Sequence, residues 1–172
     1  MNEENKWQMN RAGLLNFWYY DEETFSFEDG KLLLRGSNGS GKSVTMQSFL
    51  PVLLDGRKSP DRLDPFGSRA RRMEDYLLGE QEVVDRDERT GYLFLEYKRA
   101  HSDQYVTTGI GLQAKRHKQM KFWGFVITDN RRVGEDFFLY KKKAGKKSLA
   151  HAWNSKITWA TAGQSYKPNM NI

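Results

Sequence analysis

Gly36-Ser37-Asn38-Gly39-Ser40-Gly41-Lys42-Ser43 is a complete G-x-x-x-x-G-K-[ST] stretch, the pattern of a loop that cradles phosphate with its own backbone. The glycines at 36, 39 and 41 let the chain curl so that successive N–H groups point inward at an anion. Lys42 is placed to reach the β- and γ-phosphates of a nucleotide, and the Ser43 hydroxyl to ligate Mg²⁺. Lys31-Leu32-Leu33-Leu34-Arg35 reads as a short buried strand entering the loop. Val44 to Leu54, with apolar residues at 46, 49, 50, 53 and 54, reads as a helix leaving it. Strand, glycine loop and helix together predict an α/β fold that binds a nucleotide phosphate.

Outward from the loop, Arg11 to Tyr20 is rich in Leu, Phe, Trp and Tyr and predicts a strand. Glu22-Glu23 is read as a turn, Thr24 to Phe27 as a short partner strand, and Asp29-Gly30 as a tight hairpin. Asp55 to Ser68 holds Gly56, Pro60, Pro65 and Gly67 and predicts an exposed loop, followed by a short basic helix over Arg69 to Leu78. Gly91 to Lys98, Tyr105 to Gln113 and Lys121 to Asp129 predict an antiparallel meander, to which Phe137 to Tyr140 adds a fourth strand.

The composition narrows the chemistry. The 172 residues include no cysteine and three scattered histidines, which excludes a disulfide framework and a thiolate metal site. No apolar run approaches the roughly 20 residues of a membrane span, and the polar N-terminus lacks the pattern of a secretory leader, so the expected location is the cytoplasm. The net charge of +6 is uneven. Residues 1–97 carry 13 Lys/Arg against 18 Asp/Glu, whereas residues 98–147 carry 13 against 4. The basic segment 115–147 fits either a phosphate backbone or a solvated strand edge whose lysines discourage strand addition.

A phosphate loop alone does not name a reaction. The Asn-Lys-x-Asp guanine reader of GTPases is missing from the sequence. Asp64-Pro65-Phe66-Gly67 matches only a loose D-x-x-G pattern within a turn-rich loop. Phe125 to Asp129 is an apolar run ending in an acid, but Asn130 stands where a catalytic glutamate would follow. Gly109-Ile110-Gly111 lies inside a strand pattern, the wrong context for a dinucleotide fingerprint. Trp18, Tyr19 and Tyr20 fit either the flank of an adenine or an ordinary core.

Leu14-Leu15-Asn16-Phe17, the hairpin, and Arg35 to Ser43 followed by Val44-Thr45-Met46-Gln47-Ser48-Phe49 resemble the N-terminal half of an SMC-type ATPase head, nearest the MukB-like branch. Gly56 to Ser68 is similar to the SMC-like subunit of bacterial Wadjet plasmid-defence complexes. The resemblance covers about residues 8 to 147. It implies the N-terminal lobe of an ABC/SMC-type P-loop NTPase, with a mixed sheet, an antiparallel meander and a helix after the loop. It implies ATP and Mg²⁺ as cofactors, held by Gly36, Ser37, Asn38, Gly39, Ser40, Gly41, Lys42, Ser43 and Val44. Arg69, Arg71 and Arg72 fall where the family has a basic loop near nucleotide and DNA, and they fit a solvated helix face equally well. The implied partners are a C-terminal head lobe, a second head, DNA, a kleisin and accessory subunits.

That C-terminal lobe would bring the signature motif, the magnesium aspartate and the catalytic glutamate, none of which occurs in this sequence. The expectation is therefore an ATP-binding fragment unable to hydrolyse ATP alone. The alternatives are a self-contained small P-loop NTPase or kinase using Asp129, and a non-enzymatic DNA-binding module using residues 115–147. The chain divides into a polar extension (1–10), the head-like part (11–147) and a tail without periodicity (148–172). Back-translated and read one nucleotide earlier, Trp153 to Ile172 admits MELKDNLGDGGAVVQTQHEY. That string resembles what the Wadjet subunit carries after its meander, so the tail is expected to be out of frame and disordered.

Overall fold

The computed structural model describes residues 5–54, 72–79, 86–143, 146–149, 157–161 and 164–165, with side chains up to residue 139. The strands are β1 (Trp7–Phe17), β2 (Tyr20–Ser26), β3 (Glu88–Arg99), β4 (Tyr105–Lys115), β5 (Lys121–Ile127), β6 (Tyr140–Lys143), β7 (Lys146–Leu149), β8 (Ile157–Thr161) and β9 (Gln164–Ser165). The helices are α1 (Lys42–Ser48), α2 (Leu50–Leu53) and α3 (Met73–Leu78).

The main sheet runs β2-β1-β3-β4-β5-β8-β9, and every neighbouring pair is antiparallel. This overturns the expected α/β architecture of a P-loop NTPase lobe, which needs mostly parallel strands joined by helical crossovers. The physical reason lies in the connections. Trp18-Tyr19 joins β1 to β2, Ala100–Gln104 joins β3 to β4, and Arg116–Met120 joins β4 to β5. Links this short return the chain only to an antiparallel neighbour.

Two more local expectations fail. The strand over 31–35 does not form: Lys31 makes a single bridge to Glu28, and Leu33 is 72% exposed. The helix over 44–54 breaks at Phe49, which closes α1 and opens α2. Pro51, at the start of α2, has no N–H to continue the ladder of α1. The break rotates the apolar stripe out of register, so Met46, Leu53 and Leu54 are exposed while Thr45, Ser48 and Phe49 are buried.

Both faces of the sheet are covered, which is why β3 is buried at every position from Arg89 to Glu96. On one face Ala12, Leu14, Leu93, Leu95 and Leu112 pack against Phe49, Met73, Tyr76 and Leu77 from the helices. On the other, Leu15, Tyr92, Phe94, Phe125 and Ile127 pack against Val133 and Leu139 of the segment after β5. Gly109 and Gly111, opposite Phe125 and Trp123, are where those rings lie across the strand: a Cβ at either would fall 2.2 or 2.1 Å from the ring.

Candidate functional site

The loop at 36–43 sits on the surface ahead of α1. Ser40 N–H donates to Ser37 O at 3.3 Å, closing a turn, and Gly39 and Gly41 take φ of 82° and 85°, values that glycine reaches without strain. Gly41 is the N-cap of α1 and offers no side-chain cap. The Lys42 ammonium folds back over its own loop, donating to Gly36 O and Ser37 O, each at 2.7 Å, and to Ser40 Oγ at 3.3 Å. Among the described residues it has no carboxylate within ion-pair distance. Asn38, Gly39, Ser40 and Ser43 are exposed, and Val44 is half-buried against the helix-side core.

A polar scaffold that sequence reasoning missed lies beside this loop. The turn between β1 and β2 is Trp18-Tyr19, with Phe17 opposite Tyr20, and not the expected Glu22-Glu23. Asn16 and Trp18 both adopt left-handed backbone, with φ of 51° and 52°. Arg89, 6% exposed, holds the turn from below: it donates to Asn16 Oδ1 (3.0 Å), Trp18 O (2.6 Å), Leu77 O (3.1 Å) and, at 3.5 Å, Tyr20 O. Burial, with help from Arg86, pushes the Arg89 guanidinium down to about 10, so it stays protonated at neutral pH. Trp18 N–H donates to Tyr76 O at 3.1 Å. A Cβ on Gly41 would lie 3.9 Å from the Trp18 indole nitrogen, and the Tyr20 hydroxyl meets Thr45 Oγ1 of α1 at 3.1 Å. Of the three aromatic residues, Trp18 and Tyr20 are partly buried against the core and Tyr19 is 70% exposed.

Across the sheet lies a second polar cluster. Glu96 is fully buried. Its carboxylate accepts from Arg11 Nε and NH2 (2.9 and 2.5 Å), Arg132 NH2 and Nε (3.0 and 3.2 Å) and Asn10 Nδ2 (2.6 Å). Glu135 bridges the outer nitrogens of both arginines at 2.8 and 2.5 Å. Burial alone would raise the Glu96 carboxyl, but the hydrogen bonds from Arg11, Arg132 and Asn10 outweigh it and hold the group below its ordinary value. The sequence signal was a glutamate inside the apolar run Tyr92-Leu93-Phe94-Leu95-Glu96, since a charge on a buried strand must find a partner.

Asp129 is committed to Arg131 in its own turn at 2.7 Å. Among the described residues no three His, Asp or Glu side chains group to hold a metal. Arg72 is exposed at the start of α3, where its N–H donates to Asp75 at 3.1 Å; Arg69 and Arg71 lie outside the described residues. An open cleft of about 330 Å³ separates α3, which lines it with Arg72, Glu74, Asp75 and Leu78, from the basic turn at Lys115, Arg116, His117 and Lys118. Among the described residues no helix is long and apolar enough to cross a membrane. No family model matches the chain, and no curated protein matches it.

Proposed function

We propose that residues 36–43 bind the phosphates of ATP, with Lys42 on the terminal phosphates and Ser43 on the accompanying Mg²⁺. The supporting observation is the Lys42 ammonium, gathered over the loop by two carbonyl oxygens and without a carboxylate partner among the described residues. A triphosphate entering the loop would exchange neutral acceptors for anionic ones, adding a charge–charge attraction to hydrogen bonds that the ammonium already makes. The motif, the left-handed Gly39 and Gly41 and the exposure of the loop agree with this reading.

By the SMC-like resemblance, the chain is the ATP-binding part of a cytoplasmic DNA-organising or plasmid-defence ATPase, and hydrolysis awaits carboxylates from another lobe. Leu33, Met46, Leu53 and Leu54, exposed and close in sequence to the loop, are available to such a partner. Calorimetric titration of the full chain with MgATP tests the phosphate site. Lys42→Ala should weaken binding about tenfold to a hundredfold, the worth of a charged hydrogen bond. Equal affinity in the two proteins would sink the proposal.

The cleft beside Lys115, His117 and Lys118 supports a second reading, a contact with a nucleic-acid backbone. Binding to a short DNA duplex that falls steeply with salt and ignores ATP would favour it.

A further inference from the structure

The Trp18-Tyr19 turn has the wrong residues for its shape. Two-residue hairpin turns draw on glycine, asparagine or aspartate because their backbone visits positive φ. Here a tryptophan sits at φ 52° two residues after an asparagine at φ 51°. Bulky side chains in this region are strained, and such strain persists only where the surroundings over-determine it. The surroundings do so here. Arg89 grips Asn16 Oδ1 and Trp18 O, Tyr76 O takes the Trp18 N–H, and Asn16 Nδ2 donates to Thr90 O at 2.5 Å. Gly91 lets β3 approach, since a Cβ there would fall 2.7 Å from Asn16 O.

The strained turn lies close to the phosphate loop. Trp18 lies beside Gly41, and Tyr20 bonds Thr45, whose own N–H donates to Gly41 O at 2.9 Å. We infer that Arg89 and Tyr20 are positioning residues for the phosphate site: Arg89 locks the strained turn, and Tyr20 passes that geometry to the first turn of α1, where Lys42 and Ser43 stand. The inference rests on the phosphate reading above and adds to it a route by which residues that never touch the ligand set its affinity.

The test uses the full chain, with MgATP and inorganic tripolyphosphate as separate probes and thermal melting as the structural readout. Tyr20→Phe removes one hydroxyl and keeps the ring. It should weaken both probes about threefold to tenfold, the net worth of one hydrogen bond, with little change in melting temperature. Arg89→Lys keeps the charge but loses the fork that grips two acceptors at once, and should weaken both probes at a temperature where the variant is still folded. The double variant should bind no worse than the weaker single one, because both act through one turn. Unchanged affinity in Tyr20→Phe overturns the inference. So does an Arg89→Lys protein that melts earlier yet, while folded, binds as wild type does, since that is a purely structural role. Failure of the unaltered protein to bind either probe sinks the phosphate reading itself, a result distinct from both.

Discussion

The two faces of the sheet treat their charges in opposite ways. On the face covered by residues 129–139, the buried Glu96 meets Arg11, Arg132 and Asn10, Glu135 closes the ring, and the carboxylate's oxygens are fully engaged. On the helix side, the loop cation Lys42 rests on backbone carbonyls at the surface, and Leu33, Met46, Leu53 and Leu54 remain exposed. A charge matched inside the fold holds structure together and has nothing left for a ligand. A charge parked on neutral carbonyls in an open loop can still be recruited by an anion. The difference separates a structural ion cluster from a candidate binding site in one small protein.

That contrast breaks most readily at Glu96. Glu96→Gln leaves two largely buried guanidinium groups facing a neutral amide, and urea denaturation should register a loss of about 3–5 kcal/mol. A change below about 1 kcal/mol would mean that the cluster is no more than a surface ion pair. Arg89→Met removes the fork under the strained turn and should cost about 2 kcal/mol, the scale of a charged hydrogen bond, in the same measurement.

Acid sharpens the comparison further. The Glu96 carboxyl holds its proton less readily folded than unfolded, so its stabilisation is complete above the ordinary value of 4.5 and drains away as pH falls through the lower folded value. Stability followed from pH 6 down to pH 3 should fall on that acid limb in the unaltered protein, and the limb should shrink in Glu96→Gln. Lys42→Ala stands at the other end of the scale. Replacing Lys42, half-buried at the start of α1, should move stability by no more than about 0.5 kcal/mol, even as MgATP binding weakens about tenfold or more. A large destabilisation there would place Lys42 with the structural charges.

Local features were legible where local chemistry decides them. Asp29-Gly30 announces a turn, and the structure places both residues at positive φ, 49° and 71°, closed by the single Glu28–Lys31 bridge in place of the expected hairpin strand. Three meander strands appear near their expected positions because short polar turns specify antiparallel neighbours, whereas the fourth expected over Phe137 to Tyr140 does not join them: Tyr140–Lys143 pairs with Lys146–Leu149 in a separate sheet. The reading failed where a residue's state depends on distant groups. Leu32-Leu33-Leu34 has the composition of a buried strand, yet none of the described strands pairs with it and Leu33 faces solvent. Trp18-Tyr19 carries no turn signal, because Arg89, some 70 residues further along the chain, imposes the turn.

By itself the sequence determined the glycine–lysine loop, the Asp29-Gly30 turn and three strands of the meander, all set by backbone freedom and short-range patterning. Only the tertiary structure decided that the sheet is antiparallel throughout, that Glu96 meets Arg11 and Arg132, and that Arg89 holds the turn beside the loop. The physical reason is sequence separation. Glu96 and Arg11 lie 85 residues apart and touch only because β1 and β3 pair in register. No local pattern encodes a partner that the sheet must first bring within 3 Å.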